Sequence, residues 1–139
     1  MHLLDTDTLT HLWAGNERVA QRLQMVADPD VATTVVTKAE VLRGRIDFLL
    51  KAATGPEVVR AQQLFTRTED AFAQILVIAF DSGAAEHFER LRATKGLAKV
   101  GRADLLIASI ALAQRAIIVT RNLRHFRQIP GVTSINWVD

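Results

Sequence analysis

Short runs of β-branched and aliphatic residues alternate along this chain with longer segments of helical periodicity. That alternation constrains the fold more than any other feature. His2 to Leu4, Val31 to Val36, Ile75 to Phe80 and Ile117 to Val119 read as strands, and Val132 to Ile135 as a short edge strand. Between them, Val19, Leu23 and Val26 recur at i, i+4 and i+7 ahead of a stop at Asp28-Pro29-Asp30. Further helices are expected from Thr37 to about Lys51, from about Val58 to Ala73, around Ala85 to Leu91, and over Ala103 to Gln114, with a loop from Thr94 to Gly101. Parallel neighbours need crossover connections, and helices supply them. The pattern therefore predicts an α/β fold: a three-layer α/β/α sandwich around a mostly parallel sheet of four to five strands, with the Ile75 run buried.

Residues 1–139 read as one domain, because no linker, repeat or low-complexity tract divides the chain. With 49% hydrophobic residues, a chain of this length can bury a core without a staple. The absence of cysteine excludes disulfides, a thiol nucleophile and thiolate metal sites, and it fits a reducing cytoplasm. No apolar stretch approaches the roughly 20 residues that span a bilayer, and Asp5 and Asp7 follow the first strand where a secretory segment would stay apolar. A soluble cytoplasmic protein is expected.

In such a sheet the carboxyl ends of the strands and the amino ends of the returning helices share one edge, and ligands bind there. Asp5 and Asp7 follow the first strand, Glu40 opens the helix after the second, Asp104 opens the helix before the fourth, and Thr120 and Asn122 follow the fourth. Most of these have a plain structural alternative. Thr37-Lys38-Ala39-Glu40 fits a capping box, Asp104 could complement a helix dipole, and Asn122 could cap a turn over Leu123 to Phe126. Asp5 is harder to dismiss, since a carboxylate ending an apolar strand is costly to bury unless something cationic meets it. Three clustered carboxylates repel one another unless a cation joins them, and oxygen-only ligation selects Mg²⁺ or Mn²⁺. Such an ion suits phosphodiester hydrolysis. The net charge of +2 implies no anionic partner by itself, yet between Asp104 and Asp139 the chain has no acid and carries Arg115, Arg121, Arg124 and Arg127.

Four segments together resemble the PIN-domain ribonucleases, and within them the VapC toxins of toxin–antitoxin pairs. They are Leu3-Leu4-Asp5-Thr6-Asp7, Thr37-Lys38-Ala39-Glu40-Val41-Leu42-Arg43-Gly44, Arg102-Ala103-Asp104-Leu105-Leu106-Ile107-Ala108, and Val119-Thr120-Arg121-Asn122 through His125-Phe126 to Ile129-Pro130-Gly131. The resemblance spans nearly the whole chain. It implies a PIN-like fold and an endoribonuclease that uses Mg²⁺ or Mn²⁺, with Asp5, Glu40 and Asp104 matching the three core metal-binding acids. Asn122 matches a fourth catalytic position that is Asp in many members, which leaves open whether it ligates the ion or orients water. Asp7 and Thr120 are supporting residues on this reading. RNA is expected along Arg121, Arg124 and Arg127. The resemblance also implies a homodimer and a VapB-like antitoxin wrapped around the helical arm from Thr37 to Ala73. A non-catalytic PIN-like binding module is the alternative, and a haloacid-dehalogenase-type phosphatase is a weaker one, since the late acidic pair that fold needs is absent after Val119. His2, His11, His87 and His125 lack metal-ligand spacing and read as surface or packing residues.

Overall fold

The computed structural model describes all residues, Met1–Asp139. Its elements in chain order are β1 (His2–Leu4), α1 (Thr6–Trp13), α2 (Glu17–Met25), β2 (Val31–Thr34), α3 (Val35–Lys51), α4 (Gly55–Ala73), β3 (Leu76–Ile78), α5 (Ser82–Arg92), α6 (Arg102–Gln114), β4 (Ile117–Val119), α7 (Leu123–Phe126) and β5 (Thr133–Ile135). The five strands form one sheet in the order β3-β2-β1-β4-β5, and every neighbouring pair is parallel. The expected α/β sandwich is therefore the observed one.

Strand periodicity explains why the sheet has two cores. Successive side chains point to opposite faces. Leu3 and Ile118 pack with Ala84, Leu91, Ile107 and Phe126 from α5, α6 and α7. Their neighbours Leu4 and Val119 pack on the other face with Leu9, Val19, Val41 and Phe72 from α1 to α4. Helix α6 is almost wholly apolar between Leu105 and Leu112, and Ile107, Ala108, Ile110 and Ala111 are all buried.

Three elements depart from the sequence reading. Helix α1 was not foreseen: its sequence, Thr6-Asp7-Thr8-Leu9-Thr10-His11-Leu12-Trp13, is rich in threonine, a poor helix former. Asp5 starts it as the N-cap, and burial of Leu9 holds it. Strand β2 ends at Thr34, two residues early, because the Thr34 hydroxyl caps α3 by accepting the Thr37 amide at 3.2 Å. Thr37 is consequently inside the helix, and the capping box that was the structural alternative for Glu40 does not form. Strand β3 lies at the edge of the sheet, with Leu76 52% exposed, rather than buried. A run of aliphatic residues looks alike at either position, because sequence does not reveal which strands flank it.

The start of β1 is tethered at the opposite edge. His2 stacks on Trp137 with ring centroids 5.5 Å apart, and its Nδ1 meets Asp28, which also faces the Met1 nitrogen at 3.2 Å. Those partners hold the Asp28 carboxyl down at about 2. No helix is long and apolar enough to cross a membrane.

Phe126 is fully buried between α7 and the sheet. Phe126→Ala is expected to destabilise by about 3–5 kcal/mol in urea unfolding, whereas Leu76→Lys, at the exposed edge strand, stays within about 0.5 kcal/mol of the parent.

Candidate active site

Strand order runs outward from β1 through β2 to β3 on one side and through β4 to β5 on the other. The crevice between β1 and β4 is therefore the topological switch point, where open α/β sheets bind ligands. Asp5 is the first residue beyond β1, and its amide donates to the Val119 carbonyl at 3.0 Å. Thr120 is the first residue beyond β4. The switch point thus places a carboxylate and a hydroxyl side by side.

Asp5 is only 8% exposed. Its Oδ1 accepts the Thr8 amide at 2.9 Å, the Thr120 hydroxyl also hydrogen-bonds to it, and the Thr8 hydroxyl donates to the Val119 carbonyl at 3.0 Å. Burial pushes the Asp5 carboxyl above the ordinary carboxylate range, the hydrogen bonds from Thr120 and Thr8 hold it down, and the nearby charge of Asp7 adds to the rise. Burial is the largest of these effects.

Glu40 sits on the second turn of α3, where its Oε1 accepts the Thr6 hydroxyl at 2.6 Å. The hydroxyl of Thr37, one turn earlier, lies 3.2 Å from the same Thr6 oxygen. Freed from any capping duty, Glu40 points back over the start of α1. Asp104 occupies the first turn of α6, with its side chain 25% exposed. Its Oδ2 accepts from the Asn122 amide nitrogen at 3.1 Å. The Asn122 backbone amide in turn donates to Thr120 Oγ1 at 2.9 Å. A continuous path of contacts therefore runs from Glu40 through Thr6 and its chain neighbour Asp5 to Thr120, Asn122 and Asp104.

The path brings all three acids to one edge but not to one point. No three His, Cys, Asp or Glu side chains are grouped closely enough to hold a metal ion together. The expected convergence of Asp5, Glu40 and Asp104 is corrected to that extent: Glu40 leans on Thr6, and Asp104 leans on Asn122. Yet none of the three has a lysine or arginine within ion-pair distance. In kind, three carboxylates held by hydroxyls and amides fit a hard divalent cation.

Asn122 does not cap α7, although it stands at the N-cap position. Its Nδ2 carries two hydrogens; one reaches Asp104 Oδ2 and the other meets His125 Nδ1 at 2.7 Å. An Nδ1 that accepts this hydrogen leaves the ring proton on Nε2. His125 Nδ1 also lies 3.3 Å from Asp104 Oδ2. Sequence reasoning passed over His125 and Thr6. The available signals were the i, i+3 spacing of His125 from Asn122 and the adjacency of Thr6 to Asp5.

Asp7 is half exposed at the rim, 3.5 Å from His11 Nδ1. Among the arginines expected to meet RNA, Arg121 is engaged by Asp139 in two hydrogen bonds of 3.1 and 3.2 Å, which raise its pKa further. A paired guanidinium is a weaker phosphate site, so that expectation is revised for Arg121. Arg124 and Arg127 are exposed and carry no ion pair.

The PIN domain family model matches residues 2–132. Ribonuclease VapC2 of Rickettsia felis is 32% identical over 81 residues, covering 56% of this chain and 60% of that protein. The tRNA(fMet)-specific endonuclease VapC of Salmonella typhimurium is 36% identical over 72 residues, covering 50% of this chain and 54% of that one. The matches thus span little more than half the length of these two curated relatives. Among solved structures, the DNA-bound VapBC of Salmonella typhimurium superimposes with a TM-score of 0.75 at 25% identity, covering 98% of this chain and 97% of that one.

Two outcomes follow from the electrostatics. A carboxyl whose folded pKa is raised adds no net cost below its unfolded value near 3.8 and becomes destabilising as pH rises through its folded value. Asp5→Asn, which keeps an oxygen for the Thr8 amide, should therefore melt higher than the parent at pH 7 in chelator, and the difference should vanish near pH 3. Asn122→Asp removes both donors and sets a carboxylate against Asp104. It should destabilise the metal-free protein by about 1–3 kcal/mol in denaturant unfolding.

Proposed function

Because the chain belongs to the PIN domain family, we propose that it is a metal-dependent endoribonuclease and the toxin of a toxin–antitoxin pair. The observation that carries this reading is Asp5, a buried carboxylate at the switch point with no basic partner. Such a group is costly to keep charged unless a cation joins it. Glu40 and Asp104, on the same edge, supply further oxygen donors. Together the three residues would hold Mg²⁺ or Mn²⁺. Bound there, the ion polarises a phosphodiester oxygen and makes the attacking water more acidic.

The chain's own residues take distinct parts. Asp5 is fixed by α1 and Thr120, so its position is set by the sheet rather than by a loop. Thr120 and the carbonyl oxygen of Asn122 orient water, since the Asn122 nitrogen is committed to Asp104 and His125. Asp7 adds negative charge at the rim. Arg124 and Arg127 meet RNA phosphates as unpaired cations.

The names of the relatives support the remainder of the proposal. Two of the relatives are called ribonuclease or endonuclease, and the solved neighbour is a VapBC assembly on DNA. For this chain we extend the reading to an RNA substrate, a VapB-like antitoxin, a homodimer and a cytoplasmic setting. A second chain that covers the edge would shield Asp5, Glu40 and Asp104 from RNA, and a basic side chain placed among them would replace the cation electrostatically.

Cleavage of single-stranded RNA by the purified protein should require Mg²⁺ or Mn²⁺ and stop with chelator. Asp104→Asn should lower kcat by about 10²–10³, the several kcal/mol that metal-assisted charge stabilisation supplies. Undiminished cleavage in excess chelator would overturn the metal mechanism, and a folded protein that cleaves no RNA with either ion would favour the non-catalytic binding module.

A further inference from the structure

Between Glu89 and Asp104 the chain carries Arg90, Arg92, Lys95, Lys99 and Arg102 and no acid. Arg90 faces His87, and Arg92 is held by Glu89 at 2.7 Å. Lys95, Lys99 and Arg102 are left exposed without an ion pair. The loop joining α5 to α6 turns through Gly96, whose φ of +90° disfavours any side chain. It borders a cavity of about 300 Å³ whose walls include Phe88, Leu91, Leu97 and Leu105 together with Lys95 and Arg102. The Arg102 guanidinium lies 5.3 Å above the Phe88 ring. Arg102 and Leu105 belong to the first turn of α6, the turn that also carries Asp104, although Asp104 itself does not line the cavity.

We propose that this cavity and its loop bind one nucleotide of single-stranded RNA beside the cleaved phosphate. Lys95 and Lys99 take phosphate oxygens, the apolar walls take a base, and the Arg102 guanidinium lies against it. The inference rests on the ribonuclease reading and assigns that site's substrate path. Two features of the structure favour it over the arginine segment alone. Of the arginine segment only Arg124 and Arg127 are unpaired, since Arg121 is held by Asp139, whereas all three cations here are free of ion pairs. The cavity also offers apolar surface next to positive charge, the combination that binds unstacked bases regardless of sequence. A duplex keeps its bases stacked and could not enter.

The test is fluorescence anisotropy of a short labelled single-stranded RNA with the full chain in chelator, across a salt series. The parent should bind with a salt-dependent affinity. The variant carrying Lys95→Ala, Lys99→Ala and Arg102→Ala should bind roughly tenfold more weakly at low salt, and its log-log salt slope should shrink by about 1.4, near 0.7 for each of the two lost phosphate contacts. Lys95→Glu with Lys99→Glu, confined to exposed side chains, should weaken binding at least as much and guards against misfolding of the triple variant. A set of RNAs with a single abasic position should lose affinity at one register. A parent that binds no RNA would overturn the ribonuclease reading itself. A parent that binds, with both variants equal to it in affinity and slope, would overturn the loop as the RNA path. Equal binding of every abasic RNA would overturn the base cavity.

Discussion

Everything at the functional edge depends on one energetic conflict, a carboxylate buried at the point where the sheet changes direction. Asp5 is pinned there by the backbone: its amide closes the ladder to Val119, and its side chain starts α1. It cannot swing out to water without releasing the Thr8 amide and the Thr120 hydrogen bond. Burial nevertheless opposes its charge, and no basic residue answers it. The fold thus holds a group in an environment that favours its neutral form, a conflict that a bound cation would resolve.

The other polar residues are arranged around that position by the same topology. Because all five strands are parallel, β1 and β4 deliver Asp5 and Thr120 to one edge, while α3 and α6 bring Glu40 and Asp104 back to it. Short hydrogen bonds then determine which atoms face outward. Asn122 gives both amide hydrogens away, so only its oxygen remains for a ligand, and His125 fixes that orientation from behind. Glu40 and Asp104 are more exposed than Asp5 and rest on neutral donors, so each has room to shift toward an ion while Asp5 stays fixed.

Much of this was legible in the sequence because it rests on period and order. Alternating apolar runs gave the parallel sheet, and chain order relative to the strands put Asp5, Glu40, Asp104 and Asn122 on one edge. What was not legible depended on short-range competition or on distant partners. Helix α1 escaped because threonines mask helical periodicity, even though its cap, Asp5, was already singled out for a different reason. Thr34 and Thr37 are both plausible caps in sequence, and in the structure it is Thr34 whose hydroxyl accepts the free amide, that of Thr37. Arg121 read as a free cation because its partner, Asp139, lies 18 positions away in sequence. The grouping of Lys95, Lys99 and Arg102 around a cavity likewise depends on how α5 and α6 meet.

The central claim is that Asp5, with Glu40 and Asp104, holds a hard divalent cation at the switch point. The most direct test is anomalous diffraction from crystals of the protein grown with Mn²⁺. The account predicts one strong peak within ligating distance of an Asp5 oxygen and of Asp104 or Glu40, and no such peak in crystals of Asp5→Asn. Manganese bound elsewhere, or an Asp5 carboxyl that keeps only its Thr8 and Thr120 partners at saturating Mn²⁺, would contradict it.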